Sequence, residues 1–563
     1  MQVTHTYDHF FLYQEIVDII DGYVKDYPDF VQKTVIAKTE KGRDMLAVTI
    51  TDFQSGNPAD KPAYLVDANI HAGEVTGSMT AMYLMDTLLT NHQDPQISDL
   101  LKHMTFYIIP RISPDGSEHY LTTPDIIRSV DRLYPYSEKK PGLYPQDIDG
   151  DGVIRKMRVK SPYGIWKKSP LDDRLMVKRE PDDLVGEFYH VYQEGLIEAY
   201  DGLTVKNAPI RYGNDFNRNF PTAWQPDHIQ RGAGKYPLSH PETKALADFI
   251  IDHPNIGSVL NLHTMSGLFL YPPGLKSGKE AHPEDMARYR ALGAMATKET
   301  TYPALNVRDE YCGLNEGPIC GLLDDFNHFG QGLVNFTIEC WDLDPRAGVE
   351  TKWPADPKDM TDEKQAENAL KYIQFVDREL DGEGFKPWTP FNHPQLGEVE
   401  IGGIDYKSIV QNCPIKFLGQ EIEKHTRFMI RQAKTLPRIS FRDVKVAKMD
   451  EKTYQVEAIV MNTAFLPSYI TKEALDLGKA DTLKVTLLNE DVQVIGGKKT
   501  IDIGHLGGFS GIGGYNGMTG PSSSITEDCE KKVTWIIQTE KLTDIHIEVQ
   551  SNKTGKIKTT YHI

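Results

Sequence analysis

The stretch that most constrains this chain's fold runs from Ala63 to Ile70. It reads Ala63-Tyr64-Leu65-Val66-Asp67-Ala68-Asn69-Ile70 and leads straight into His71-Ala72-Gly73-Glu74. A run apolar on both faces fits a strand covered on both sides, as in the middle of a parallel sheet. From about Glu74 to Leu89 the period becomes helical, with Val75, Met79, Met82, Leu88 and Leu89 turned inward; the methionines read as core packing. A second apolar strand is expected at 105–109. Upstream, Phe11, Ile16, Ile19, Ile20 and Val24 mark a helix within 10–27, and Val35–Lys38 and Leu46–Ile50 form a hairpin around Lys41-Gly42. Strands alternating with helices imply an α/β fold, a mainly parallel mixed sheet flanked by helices. Ligands of such sheets gather at the carboxyl ends of the strands.

Polar residues fall at those ends. His71 and Glu74, three residues apart after a buried strand, can reach one metal ion. Nitrogen and carboxylate ligands with one position left for water suit a hydrolytic zinc; the plainer alternative is a strand end facing solvent. Pro110-Arg111-Ile112-Ser113-Pro114-Asp115-Gly116 ends the next strand, and His263 closes Ser258–Leu262. Between them lie Arg155-Lys156-Met157-Arg158 and Asn214-Asp215-Phe216-Asn217-Arg218-Asn219-Phe220. Glu339 ends the apolar run Leu333–Ile338, where a charge is costly unless paired or functional.

H-x-x-E, P-x-x-x-P-D-G, N-R-N-F, a strand-end His and F-T-x-E, in this order, resemble the zinc carboxypeptidases of the M14 family over residues 10–380. The resemblance implies one catalytic zinc on His71, Glu74 and His263, with Glu339 as general base. Arg155 matches the oxyanion-stabilising arginine in preference to Arg158, although Ile154 precedes it where many relatives carry Trp. Asn217 and Arg218 match the pair that grips a peptide's terminal carboxylate. The family's mobile tyrosine has Gly317 at its usual place, and Tyr311 is the nearest candidate. Asp325 matches a structural acid. Asp324 aligns with the floor of the terminal side-chain pocket, where an acid favours Lys or Arg; otherwise it faces elsewhere. The implied activity is a zinc metallocarboxypeptidase acting on peptides with a free C-terminus. The alternatives are a zinc amidohydrolase of the same fold, acting on N-acyl amino acids or cell-wall peptides, and an inactive binding module, which the complete ligand set and Glu339 disfavour.

At 563 residues the chain exceeds a single core. Residues 1–380 are expected to form the catalytic domain, with a polar insertion at 117–213 and a closing helix at Asp362–Leu380. Residues 381–438 read as a Gly/Pro-rich linker, 381–403, and a helical connection; 439–563, with short alternating runs, reads as a β-sandwich whose partner is unknown. In the insertion, Asp147-Ile148-Asp149-Gly150-Asp151-Gly152 opens like a calcium loop, but its twelfth position is Arg158. Either Ca²⁺ binds at Asp147, Asp149 and Asp151 or the segment is an acidic turn that places Arg155. A net charge of −18 argues against nucleic acid and anionic membrane as partners. Five cysteines without metal spacing make no disulfide framework, and Cys312 and Cys320 are expected to stay reduced. With no apolar run long enough to span a membrane and no leader at Met1, the chain as it stands reads as cytoplasmic, or as secreted if a leader was trimmed.

Overall fold

The computed structural model describes residues 2–562 apart from 314–316, 357, 359, 517–519 and 542. Its centre is an eight-stranded sheet of β1 (Val31–Lys38), β2 (Asp44–Ile50), β3 (Ala63–Ala68), β4 (Thr105–Ile109), β5 (Ile256–Thr264), β6 (Leu268–Tyr271), β7 (Ala304–Asn306) and β8 (Val334–Cys340). The strand order is β1-β2-β4-β3-β5-β8-β6-β7. The inner strands β4, β3, β5 and β8 are parallel, and antiparallel pairs lie towards both edges. Every residue of β3 and β5 is buried, which is why both read as apolar runs. Helices Tyr13–Asp26, Val75–Thr90 and Ile415–Ala433 share one core with one face of the sheet, through Ile16, Met79, Met82, Leu260, Leu262 and Phe428. Helix Pro241–Asp252 covers the other face through Leu246, Phe249 and Ile250, against Leu65 and Val259.

Two expectations about 381–438 need correction. The supposed linker is a hairpin, Phe385–His393 with Gly397–Ile404, at one end of a six-stranded sheet completed by four strands of the 117–213 insertion. Pro387 and Pro390 suggested a linker because proline cannot donate to a ladder, but Phe385–His393 is an edge strand, where that donor is dispensable. The helical connection is also core: Leu418, Ile422, Phe428 and Met429 of Ile415–Ala433 are buried, and Tyr64 Oη donates to Gln432 at 2.8 Å.

From Ile439 onward the chain forms two four-stranded antiparallel sheets around Val456, Val460, Val485, Trp535 and Ile547. This β domain is firmly docked. Lys553, 3 % exposed at a hairpin tip, donates to the Ile256 carbonyl at 2.7 Å, where β5 begins. Thr471 Oγ1 donates to Gly332 O at 2.7 Å, and the Lys472 and Glu473 N–H groups donate to Asp285 at 2.9 and 3.1 Å. No disulfide joins Cys312 to Cys320. Among the described residues, no helix is long and apolar enough to cross a membrane.

Candidate active site

Strand register assembles the site. His263 on β5 pairs with Glu339 on β8, and Asn261 pairs with Asp67 on β3 and Thr337 on β8. Because side chains alternate along strands, these residues share one face at the carboxyl end of the sheet. The turn after β3 carries His71 to the same end, and Glu74 stands at the start of helix Val75–Thr90. Gly77 makes that placement possible: a Cβ there would lie 2.8 Å from the Leu262 carbonyl oxygen, so only glycine lets the helix press onto β5.

The donor atoms of His71, Glu74 and His263 lie within 4.8 Å of one another and are buried. His71 Nδ1 is 2.9 Å from Glu74 Oε1 and 3.2 Å from His263 Nδ1, which is itself 3.0 Å from Glu74 Oε2. Opposite, His71 Nε2 is 3.1 Å from Asp215 Oδ1. An ionised carboxylate only accepts, so with a metal ion on the Nδ1 side, Nε2 would give its proton to Asp215 and leave the Nδ1 lone pair for the ion. Acceptors then converge where a positive charge is wanted. Among the described residues, Glu74 Oε2, near His263 but not in hydrogen-bond geometry, and His263 Nε2 have no hydrogen-bond partner. Two imidazole nitrogens and a carboxylate are a donor set that fits zinc. Burial would raise the Glu74 pKa, yet His71 and His263 hold it well below the usual range; burial works against charge on His263, yet Glu74 and Glu339 raise it to about 9.

Around this point stand the groups of the N-D-F-N-R-N-F segment. Asp215 also accepts from Arg128 Nε at 2.9 Å, and Arg128 Nη1 lies 3.6 Å from Glu74 Oε1. Burial alone would raise the Asp215 pKa, but Arg128, Arg218 and His71 hold it well below the carboxylate range. Arg128 comes close because the Ala72 N–H donates to its carbonyl at 2.6 Å. Gly116 of the P-D-G turn also gives way, since a Cβ there would meet Ser129 O at 2.2 Å. Asn217 Oδ1 accepts from the Leu323 N–H at 2.8 Å, and Arg218 Nη1 donates to the Asn217 carbonyl at 2.7 Å. Gly321, at φ +70°, seats this pair: its Cβ would fall 2.2 Å from Arg218 O.

Burial raises the Glu339 carboxyl to about 8, with the His263 charge opposing and Glu74 adding to the rise. Tyr311 feels the charges of Glu339, Arg218 and Arg128. Its ring leans on Trp353 with centroids 4.9 Å apart, and burial and the Glu339 charge push its hydroxyl to about 12, against the pull of Arg218 and Arg128. Asp324 lies under β8, where its Oδ1 accepts from Thr337 Oγ1 at 2.6 Å and Asn335 Nδ2 at 2.7 Å; burial raises its pKa. Asp325 accepts from the Gly274 N–H at 3.0 Å.

Arg155 is placed differently from the expectation. Its Nη1 donates to Asp151 at 2.6 Å and its backbone N–H to Glu194 at 2.8 Å, within the insertion. Arg128 is the arginine that meets Glu74 and Asp215. Asp147, Asp149 and Asp151 do cluster, but Lys386 Nζ donates to Asp149 and Asp151 at 2.5 and 2.7 Å, and Asp147 accepts from the Gly150 and Gly152 N–H groups. Sequence reading missed Arg128 and the bond from His71 to Asp215. The cue for Arg128 was Ile126-Ile127-Arg128-Ser129-Val130, a short apolar cluster in a polar stretch whose Val130 enters the core. Asp215 lay in plain view, two residues before Asn217.

The family model described as zinc carboxypeptidase (Peptidase_M14) matches residues 16–353. A second model, a domain of unknown function (DUF8731), matches residues 438–562. The chain is 24% identical to carboxypeptidase A4 of Mus musculus over 288 residues, 50% of this chain and 52% of that protein. It is 23% identical to carboxypeptidase O of Bos taurus over 303 residues, 52% and 61% of the two. The chain thus spans about half the length of the mouse protein. A crystal structure of carboxypeptidase A from Helicoverpa armigera aligns with a TM-score of 0.39 and 17% identity, covering 68% of this chain and 77% of that one.

Proposed function

Since the chain belongs to the zinc carboxypeptidase family, whose model covers residues 16–353, we propose that it is a metallocarboxypeptidase removing the last residue of peptides with a free C-terminus. The observation that carries this reading is the convergence of His71 Nδ1, Glu74 and His263 Nδ1 on one point beside Glu339 and Arg128. A zinc ion held by His71, Glu74 and His263 would supply Lewis acidity and lower the pKa of water towards neutral. The chain's own groups do the rest. Arg218 and Nδ2 of Asn217, for which the described residues show no partner, bind the terminal carboxylate as paired donors. Arg128, held by Asp215, faces the charge that develops on the scissile carbonyl oxygen; it takes the role expected of Arg155. Glu339 accepts the proton of the attacking water and passes it to the leaving amine. Tyr311 covers the terminal residue, and Asp324 forms the floor of its side-chain pocket and favours Lys or Arg. The Asp147–Asp151 turn is read as a salt-bridged turn, in which Lys386 supplies the positive charge that calcium would bring.

The test compares one peptide as the free acid and as the C-terminal amide. Charge-assisted hydrogen bonds contribute about 1.5–3 kcal/mol each, so the amide should be cut at least tens of times more slowly. Equal cleavage overturns the exopeptidase reading and favours an amidohydrolase.

A further inference from the structure

The wide helical turn Tyr406–Gln411 follows the hairpin misread as a linker, and it lies outside the residues that the family model matches. It is fastened to the metal-ligand turn. Asn412 Nδ2 donates to the Gly73 carbonyl at 2.7 Å, and its Oδ1 accepts from the Thr76 N–H at 3.1 Å. Gln411 packs so closely on Gly73 that a Cβ there would meet its Nε2 at 2.7 Å. Gln411 Oε1 accepts from Tyr120 Oη at 2.9 Å, and Lys407 Nζ donates to the Tyr120 and Thr123 carbonyls, each at 2.7 Å. Trp341, two residues beyond Glu339, donates to the Ile409 carbonyl at 2.9 Å. The turn is therefore held against both the H-x-x-E segment and the end of β8.

Tyr406 stands on this clamped turn, half-buried. The one hydrogen-bonding contact its hydroxyl makes among the described residues is to Met265 Sδ at 3.9 Å, two residues after His263; a thioether is a weak acceptor. The hydroxyl proton is thus available to a stronger acceptor. The charges that act on it are Glu74 and Arg128, whereas Tyr311 answers to Glu339, Arg218 and Arg128. Arg128 thus acts on both tyrosines, and Arg218 on Tyr311. On the carboxypeptidase reading, a peptide whose carboxylate is held by Arg218 and whose scissile carbonyl faces Arg128 would run on upstream, past the turn that carries Tyr406 beside Met265.

We infer that Tyr406 determines specificity on the acyl side of the cleft, its hydroxyl donating a hydrogen bond to a backbone carbonyl upstream of the scissile bond. This rests on the carboxypeptidase reading. The chemistry recognised is a peptide chain that extends beyond the residue carrying the scissile carbonyl.

The test measures kcat/KM of the full chain, wild type and Tyr406→Phe, on two peptides with the same last residue. One is a dipeptide with no acyl group, whose first carbonyl is the scissile one; the other is a pentapeptide with upstream carbonyls. A lost neutral hydrogen bond corresponds to about a five- to ten-fold effect. The ratio of long to short substrate should fall by that factor in Tyr406→Phe, chiefly through KM, with zinc content equal to wild type. An unaltered ratio, with wild type cutting both peptides, refutes the role of Tyr406 alone. Wild type that cuts neither refutes the carboxypeptidase reading and this inference with it.

Discussion

Asp215→Asn isolates the carboxylate that fixes His71. The side chain keeps its shape, but the acceptor facing His71 Nε2 at 3.1 Å is replaced by an amide that can present a donor. If the amide nitrogen faces His71, the imidazole moves its proton to Nδ1 and loses the lone pair left for the ion. If the amide oxygen faces it, the bond survives without its charge, and Arg128 loses a charged partner at 2.9 Å. Removing a carboxylate behind a metal-binding histidine costs about 10–100-fold in metal affinity, or about 1.4–2.8 kcal/mol. That agrees with one charge-assisted bond at about 1.5–3 kcal/mol. Zinc affinity is read by competition with a chromophoric chelator at fixed pH, and circular dichroism confirms the fold. Wild-type affinity in folded Asp215→Asn would refute the assignment of tautomer and ligand atom to His71.

Three further predictions follow from specific contacts. Gly321→Ala puts a Cβ 2.2 Å from the Arg218 carbonyl in a left-handed backbone, so kcat/KM on free-acid peptides should fall about ten-fold or more with zinc retained; full activity refutes the seating role. Asp324→Ala should level the preference for peptides ending in Lys or Arg over those ending in Phe, measured as the kcat/KM ratio; a persisting preference places its origin elsewhere. Burial lowers Lys553 to about 7, while the unfolded chain keeps its proton to about 10.4. Between those values the unfolded state binds more protons, so stability rises with pH from about 7 to 10 and the cost of burying the charge is complete below 7. Thermal melts across that window should show a steeper pH slope for wild type than for Lys553→Met, and identical slopes refute the buried-lysine contribution.

Periodicity made much of the fold legible. The run at 63–70 became β3, 105–109 became β4, and Asp362–Leu380 is a helix with those bounds, because burial on one or both faces leaves a regular trace. His71 and Glu74 stood out because they lie three residues apart after a buried strand, whereas His263, far along the chain, stood out only through the family resemblance. Arg128 was not, because a loop residue is brought to its site by tertiary contacts such as Gly116 on Ser129, which leave no period. Arg155 attracted the assignment through its neighbours in sequence, yet the partner it meets is Asp151, four residues away. Phe385–His393 hid behind prolines that an edge strand tolerates, and with it went the origin of Tyr406, whose meaning depends on Gly73 and Met265 from distant parts of the chain.

The central claim is that Glu339 moves protons beside a zinc ion held by His71, Glu74 and His263. The most direct measurement pairs metal analysis with quantified release of the terminal amino acid from a free-acid peptide, for wild type and Glu339→Gln. Each protein should hold about one equivalent of zinc, and release by the variant should be slower by about 10²–10⁴-fold, because an amide cannot accept the water's proton. A folded, zinc-loaded Glu339→Gln with near-normal kcat would contradict it.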